Sequence, residues 1–295
     1  MHGPIPTPQA TFPVKKYRTI WISDIHLGTR GCQAEMLLDF LKHTESDVLY
    51  LVGDIIDGWR MKRSWYWCQS HNDVVQKLLR KARKGTRIIY VPGNHDENFR
   101  DFTNHNFGSV SVVNEAIHVA ADGKRYLVLH GDQFDGVVKF AKWLAYLGDS
   151  AYTAALAVNH WFNVARRRLG FPYWSLSAFL KKKVKNAVEY VSRYEDAVAA
   201  AARARNVDGV ICGHIHCAEK RPMGDVIYCN TGDWVESCTA LVEDDKGHID
   251  ILHWSDVRDL SIMGEHTACA SSLSRTPGFL KSMVSFARST RSGTG

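Results

Sequence analysis

The sequence has no run of 18 uninterrupted apolar residues, so it offers no candidate membrane-spanning helix. Its most apolar region, Val137 to Phe162, is broken by Lys139, Lys142, Asp149, Asn159 and His160. Paired C-x-x-C spacing is also missing. The seven cysteines (Cys32, Cys68, Cys212, Cys217, Cys229, Cys238 and Cys269) are odd in number and scattered through 295 residues. A chain of that length builds a core without a disulfide framework, so reduced thiols and a cytoplasmic setting are expected. The opening stretch lacks the apolar centre of a signal peptide. It carries Pro4, Pro6, Pro8 and Pro13 and reads, over 1–16, as a disordered lead. There is no internal repeat and no DNA-reading module, and the net charge is a mild +6. What remains is one large domain, or a domain with a sizeable insertion.

Within that chain, short apolar runs alternate with helical patterns, which places it in the α/β (α+β) class. Strands are expected at Tyr17–Ser23, Asp47–Val52, Arg87–Val91, Val110–Val113, Ala116–Ala120, Arg125–Leu129, Asp208–Cys212, Val226–Cys229, Thr239–Glu243 and His248–Trp254. Helical spacing appears over Ala34–His43 and again through Val74, Leu78 and Ala82 up to Gly85. Asp122-Gly123 and Asp245-Lys246-Gly247 read as hairpin turns.

Polar residues gather where the strands stop. Asp24 and His26 follow the first, Asp54 and then Asp57 the second, and Asn94-His95-Asp96 the third. His130 follows a later strand, and His214 and His216 another. Open α/β sheets keep their sites at the carboxyl ends of strands. Asp24, His26, Asp54, Asn94, His130, His214 and His216 offer oxygen and nitrogen donors only. A tetrahedral zinc needs four ligands and its structural form favours thiolates, so seven such donors suit two ions sharing a carboxylate. The imidazole and carboxylate mixture points to Mn²⁺, taken first, with Fe or Zn²⁺ open, rather than Ca²⁺ or Mg²⁺. One D-x-H pair would mean little; five such groups in order, each behind its own strand, mean a good deal.

These blocks, Asp24-x-His26, Gly53-Asp54, Gly93-Asn94-His95-Asp96, His130-Gly131-Asp132 and Gly213-His214-x-His216, resemble the signature of calcineurin-like metallophosphoesterases over residues 17–254. The resemblance implies a central β-sandwich flanked by helices. It also implies one ion held by Asp24, His26, Asp54 and His216, and a second held by Asp54, Asn94, His130 and His214, with Asp54 as the bridge. Two such ions clamp a phosphoryl group and its attacking oxygen. His95 is left outside the metal count and is assigned to the leaving group or the equatorial phosphate oxygens. For Asp96 two readings stand: it orients the His95 imidazole, or it caps the turn. The stretches Asp24–Gly28, Gly53–Asp57, His130–Asp135 and Asn230–Glu236 are similar to the UDP-2,3-diacylglucosamine pyrophosphohydrolase branch, which acts in lipid A synthesis. One position departs from that branch: His95 stands where its members carry Arg.

Residues 134–205 change to a helical pattern between two metal blocks and are expected to form a lid. From His160 to Arg193 the cations Arg166, Arg167, Arg168, Lys181, Lys182, Lys183, Lys185 and Arg193 face only Glu189. The plain reading is a solvated basic face. The functional one is a surface that meets substrate phosphates or an anionic bilayer, which would place the protein peripherally on the inner membrane. Residues 255–295 read as a poorly ordered basic tail. The leading expectation is a two-metal hydrolase of a phosphorylated substrate, a lipid-linked nucleotide sugar first. A phosphatase or phosphodiesterase for other substrates is the alternative, nucleic acid being the less favoured. A metal-free interaction scaffold is the third, and the seven donors stand against it.

Overall fold

The first strand sets the pattern that the rest follows. In β1 (Lys15–Ile22), Trp21 turns to one side while Ile20 and Ile22 turn to the other. β2 (Thr44–Val52) repeats the alternation, with Tyr50 and Val52 on one side and Leu49 and Leu51 on the other. A strand apolar on both faces must be covered on both faces. Helices α1 (Ala34–His43) and α3 (Gln69–Arg83) supply one cover, through Leu37, Phe40, Leu41, Val74, Leu78 and Ala82. A second sheet supplies the other.

The structure is a computed structural model, which describes residues 14–137 and 191–257. Of the expected disordered lead over 1–16, residues 14–16 are described, and Lys15 and Lys16 belong instead to β1, paired with Thr44 and Glu45. The rest of the lead, the tail beyond 257 and most of the expected lid, with Arg166, Arg167, Arg168, Lys181, Lys182 and Lys183, lie outside the described residues. The chain divides into two units. The first joins residues 1–132 to 201–264, and the second includes 133–200.

In the first unit, β1 and β2 are joined by β3 (Arg87–Val91), β4 (Asn106–Phe107), β5 (Val110–Val112), β11 (Thr239–Glu243) and β12 (Ile249–His253). Their order is β12-β11-β1-β2-β3-β5-β4. The second sheet takes β6 (Ala116–Val119), β7 (Arg125–Val128), β8 (Gly209–Cys212), β9 (Glu219–Met223) and β10 (Val226–Asn230), in the order β6-β7-β8-β10-β9. Trp21, Tyr50, Val52 and Val91 of the first sheet share a core with Tyr126, Val128, Ile211 and Cys229 of the second. Trp21 is fully buried there, stacked on Tyr50 with ring centroids 5.7 Å apart. Burying a large apolar side chain is worth roughly 1.5–3 kcal/mol, so this seam contributes much of the force holding the sheets together. The expected sandwich flanked by helices is therefore present.

Two arrangements fix the site. β1, β2 and β3 are mutually parallel neighbours, so their carboxyl ends emerge on one edge. β7, β8 and β10 are likewise parallel neighbours. In the second unit, residues 191–200 are helical, with Tyr194, Val198 and Ala199 buried, and Phe134 lies edge-on to Tyr194 at 6.4 Å. Among the described residues no helix is long and apolar enough to cross a membrane.

Candidate metal centre

Each sheet edge ends in loops of unusual backbone. Asp24, His26, Asp54, His214 and His216 all adopt positive φ, between 50° and 71°. Non-glycine residues pay roughly 1–2 kcal/mol for that region, and such strain collects at functional sites. The loops approach closely as well. A Cβ on Gly93 would stand 2.3 Å from Asp54 Oδ1, and one on Gly213 would stand 2.5 Å from Asp24 Oδ2. Real carbon atoms do not tolerate either distance. Gly93→Ala should therefore push Asp54 out of place. Elemental analysis of the purified variant should show at least one divalent ion lost, and full occupancy would show that the loop gives way instead.

The donors fall into groups. Ligand atoms of Asp24, His26 and His216 lie within 4.8 Å of one another, and so do those of Asp54, His130 and His214. Asp54 connects the two: its Oδ1 lies 3.5 Å from His130 Nε2 and its Oδ2 lies 3.8 Å from His26 Nε2. Asn94 is buried beside this group in the chain's third loop, and its Oδ1 accepts no hydrogen bond among the described residues. Asp54 Oδ2 likewise accepts none. Buried acceptors left in that state cost about 1–3 kcal/mol each, which a bound cation would recover.

The partners around these residues hold each one in a chosen pose. Asp24 Oδ2 accepts from Ser23 Oγ at 2.5 Å and from the His214 N–H at 2.9 Å, leaving Oδ1 facing His216 Nε2 at 3.1 Å. His130 Nδ1 lies 2.9 Å from the Val52 carbonyl, so it donates there and Nε2 is turned to Asp54. His26 Nδ1 lies 3.1 Å from Asp57 Oδ2, which directs its Nε2 inward. Metal-ligating imidazoles are oriented in this way, through the nitrogen that does not ligate. Arg100 Nη2 donates to both Asp132 oxygens at 2.7 Å and to the Pro92 carbonyl at 3.2 Å, tying the loop after His130 to the one before Asn94. The Asn230-Thr231 segment serves β8's loop: Asn230 Nδ2 donates to the Gly213 carbonyl at 2.7 Å.

Electrostatics agree with the geometry. Burial opposes ionisation of Asp24 and Asp54, but neighbouring imidazoles outweigh it and hold both carboxyls well below the usual range. Chief among these are His216 for Asp24 and His130 for Asp54. For His130, burial disfavours the charged form, yet Asp54, Asp24 and Asp132 raise it to about 10. A hollow that borrows protons to balance its carboxylates is one that divalent cations fit. Six of the seven expected donors are thus brought together, Asn94 is buried between Gly93 and His95, which both approach Asp54, and the chemistry of the set suits metal.

His95 stands beside the donors, its Nε2 3.9 Å from Asp54 Oδ2. Its Nδ1 lies 2.9 Å from Asp57 Oδ1. Asp57 is the orienting carboxylate for both His26 and His95, and it also caps α2 (Gly58–Arg63) by accepting from the Arg60 N–H at 2.8 Å. Burial pulls the Asp57 carboxyl upward, but these hydrogen bonds, His26 and His95 first, hold it well below the usual range. In the sequence Asp57 stands among the strand-end residues without an assigned role. Its position three residues beyond Asp54, at a strand end already rich in donors, was the available signal.

Asp96 resolves the other way. Its Oδ1 accepts from the Gly93 N–H at 2.6 Å and its Oδ2 from the Ile55 N–H at 2.7 Å, with the Tyr90 hydroxyl also donating to Oδ2. Of its two readings, the geometry gives the cap: the carboxylate pins the Asp54 loop to the Asn94 loop, and Asp57 takes the place beside the imidazole. Burial, together with the charge of Asp54, pushes the Asp96 carboxyl up.

A 26% identical protein, described as UDP-2,3-diacylglucosamine hydrolase of Psychromonas ingrahamii, matches over 80% of this chain and 96% of its own length. A protein of the same description from Azotobacter vinelandii is 31% identical over 39% of this chain and 47% of its own. Among solved structures, the E. coli phosphoesterase Yfce aligns over 80% of this chain and 98% of its own at 14% identity, with a TM-score of 0.38. The profile described as calcineurin-like phosphoesterase matches residues 17–218, the span holding all seven donors, and the chain belongs to that family of metal-dependent phosphoester hydrolases.

Proposed function

We propose that the chain cleaves the pyrophosphate of a lipid-linked nucleotide sugar, UDP-2,3-diacylglucosamine first, in lipid A synthesis at the cytoplasmic face of a membrane. The observation that carries the hydrolytic part is the pair of donor groups joined by Asp54. In this reading Asp24, His26, Asp54 and His216 hold one Mn²⁺, and Asp54, Asn94, His130 and His214 hold another. Bound there, the ions polarise the phosphoryl group and lower the pKa of water. The chain's own groups do the rest. Asp57 fixes the His95 ring, and His95 Nε2 meets the leaving oxygen and gives it a proton. Asp96 keeps the two loops in register. The cations Arg166, Arg167, Arg168, Lys181, Lys182 and Lys183 are assigned to the substrate phosphates.

The choice of substrate is supported by the descriptions of the relatives. A hydrolysis screen with Mn²⁺ tests it, comparing UDP-2,3-diacylglucosamine, simple nucleoside diphosphate sugars, phosphomonoesters and DNA. The acylated substrate should have the highest kcat/KM by at least tenfold. Faster cleavage of DNA or of monoesters would assign the centre to a different substrate.

A further inference from the structure

Helix α2 and the residues after it make a surface that the hydrolytic reading does not use. The helix is fixed from below. Asp57 caps it, the Gly58 N–H donates to the His95 carbonyl at 2.9 Å, and Met61 lies against Gly28, where a Cβ would meet its sulfur at 2.5 Å. With that side anchored, Trp59, Arg60, Lys62 and Arg63 are left exposed, followed by Trp65. Trp65 is 73% exposed, more than any other large apolar side chain among the described residues, and Trp59 is 42% exposed. Next to them, Arg30 lies over the Tyr66 ring at 4.6 Å.

A tryptophan costs free energy when left in water, and this one is not left among neutral residues. From Gly58 to Asn72 the chain has three cations, Arg60, Lys62 and Arg63, and no carboxylate. Two acids touch the helix from elsewhere: Asp57, whose carboxylate is turned to the helix cap and the imidazoles, and Glu97, which accepts from Trp59 Nε1 at 3.1 Å. Among the described residues none of the three cations forms an ion pair. Amphipathic indole rings beside unpaired Lys and Arg are the combination that settles at a bilayer's headgroup level. Nucleic acid would need cations strung along a groove with rings between them. Here the cations crowd into four positions of one short helix.

We propose that this surface, with Lys62, Arg63 and Trp65 at its centre, docks the protein on an anionic lipid bilayer. The inference rests on the reading of an acylated substrate and deepens it, because the docking element is attached to the site. Trp59 packs on the His95 ring with centroids 4.6 Å apart. Contact at α2 therefore brings the bilayer surface to the side of the site where the leaving group departs.

Co-sedimentation of the full chain with phosphatidylcholine vesicles, with and without phosphatidylglycerol, tests this. Wild type should pellet with the anionic vesicles only, and less as salt rises. Near such a surface each cation counts for about 1 kcal/mol, so the double variant Lys62→Gln, Arg63→Gln should bind about 30-fold more weakly. Trp65→Ser should lose roughly tenfold. Neither should alter hydrolysis of a small soluble nitrophenyl ester, which also checks that the variants are folded. Arg80→Gln with Arg83→Gln, exposed cations on α3, is the control of equal charge. Equal losses in the control would mean that net charge alone attracts the protein, and would overturn the proposal. So would unaltered binding of the α2 variants, or a wild type that ignores vesicles and retains single-stranded RNA. Vesicle binding is read without turnover, so it stands or falls apart from the identity of the substrate.

Discussion

Replacing Asp54 with Asn should empty the centre more completely than any other single change. Asp54 is fully buried, and its two oxygens face different donor groups, toward His130 on one side and His26 on the other. An amide keeps the shape but gives up the charge, and one of its ends becomes an N–H₂ that repels a cation. Both ions should be lost or greatly weakened. Asp24→Asn, by contrast, removes a donor only from the group with His26 and His216; with its retained amide oxygen accepting from the His214 N–H, it should largely spare the other ion. A Lewis acid supplies several kcal/mol, and about 1.4 kcal/mol is a decade of rate, so Asp54→Asn should cost roughly a thousandfold or more in kcat. Elemental analysis of the purified variants decides the matter. Two full equivalents in the Asp54→Asn protein would refute the bridging role.

The second large effect is expected at His95. Its Nε2 lies near Asp54 while its Nδ1 is held by Asp57, so it can reach the reaction without being needed to close either donor group. His95→Ala should lower kcat by about 10²–10⁴, the usual worth of a positioned proton donor, and leave metal content nearly intact. The loss should shrink on a nitrophenyl ester, whose leaving group needs no proton. An equal loss on good and poor leaving groups would instead make His95 a phosphate contact. Asp57→Asn separates the two roles further. It loosens His95 and His26 together, so it should reduce both rate and metal affinity, each by roughly 10–100-fold.

The elements that positioned these residues were legible in the sequence wherever burial was two-sided. β3, β8 and the carboxyl-terminal halves of β1 and β2 are nearly continuous apolar runs because sheet or helix covers each face, and the sequence reveals all four within a few residues. The misses have physical reasons. β2 begins at Thr44, ahead of the expected Asp47, because its start pairs with Lys15 and Lys16 of β1, a register no local pattern displays. β9 was overlooked because Glu219–Met223 carries Lys, Arg and Pro222. It is an edge strand, where proline and charge are tolerated and alternation is weak. α2 is too short for a period to show, and its indole rings face outward rather than into a core. The donors themselves were legible because their chemistry is conspicuous at strand ends. Asp57 was not, since a carboxylate just before a helix is ordinarily a cap; here it is a cap and an imidazole anchor at once. The backbone twist at the donors was also invisible, because positive φ in Asp and His is imposed by the packed loops and not by the residues' own preference.

The division of the donors between two sheets has a consequence for how the protein is made. Asp24, His26, Asp54 and Asn94 follow the parallel strands β1 to β3, early in the chain, His130 follows β7, and His214 and His216 follow β8, after the long insertion. On the assignment proposed here, neither ion has its full set until β8 has joined β7. From Asn94 to His214 a nascent chain therefore carries an incomplete donor set, three oxygen donors with His26, joined partway by His130. Such a half-site suits hard ions such as Mg²⁺, and the late imidazoles shift its preference toward Mn²⁺, Fe or Zn²⁺. The order in which the ligands emerge thus acts as a timetable. On that assignment, His214 and His216, the last donors to arrive, would set which metal is retained.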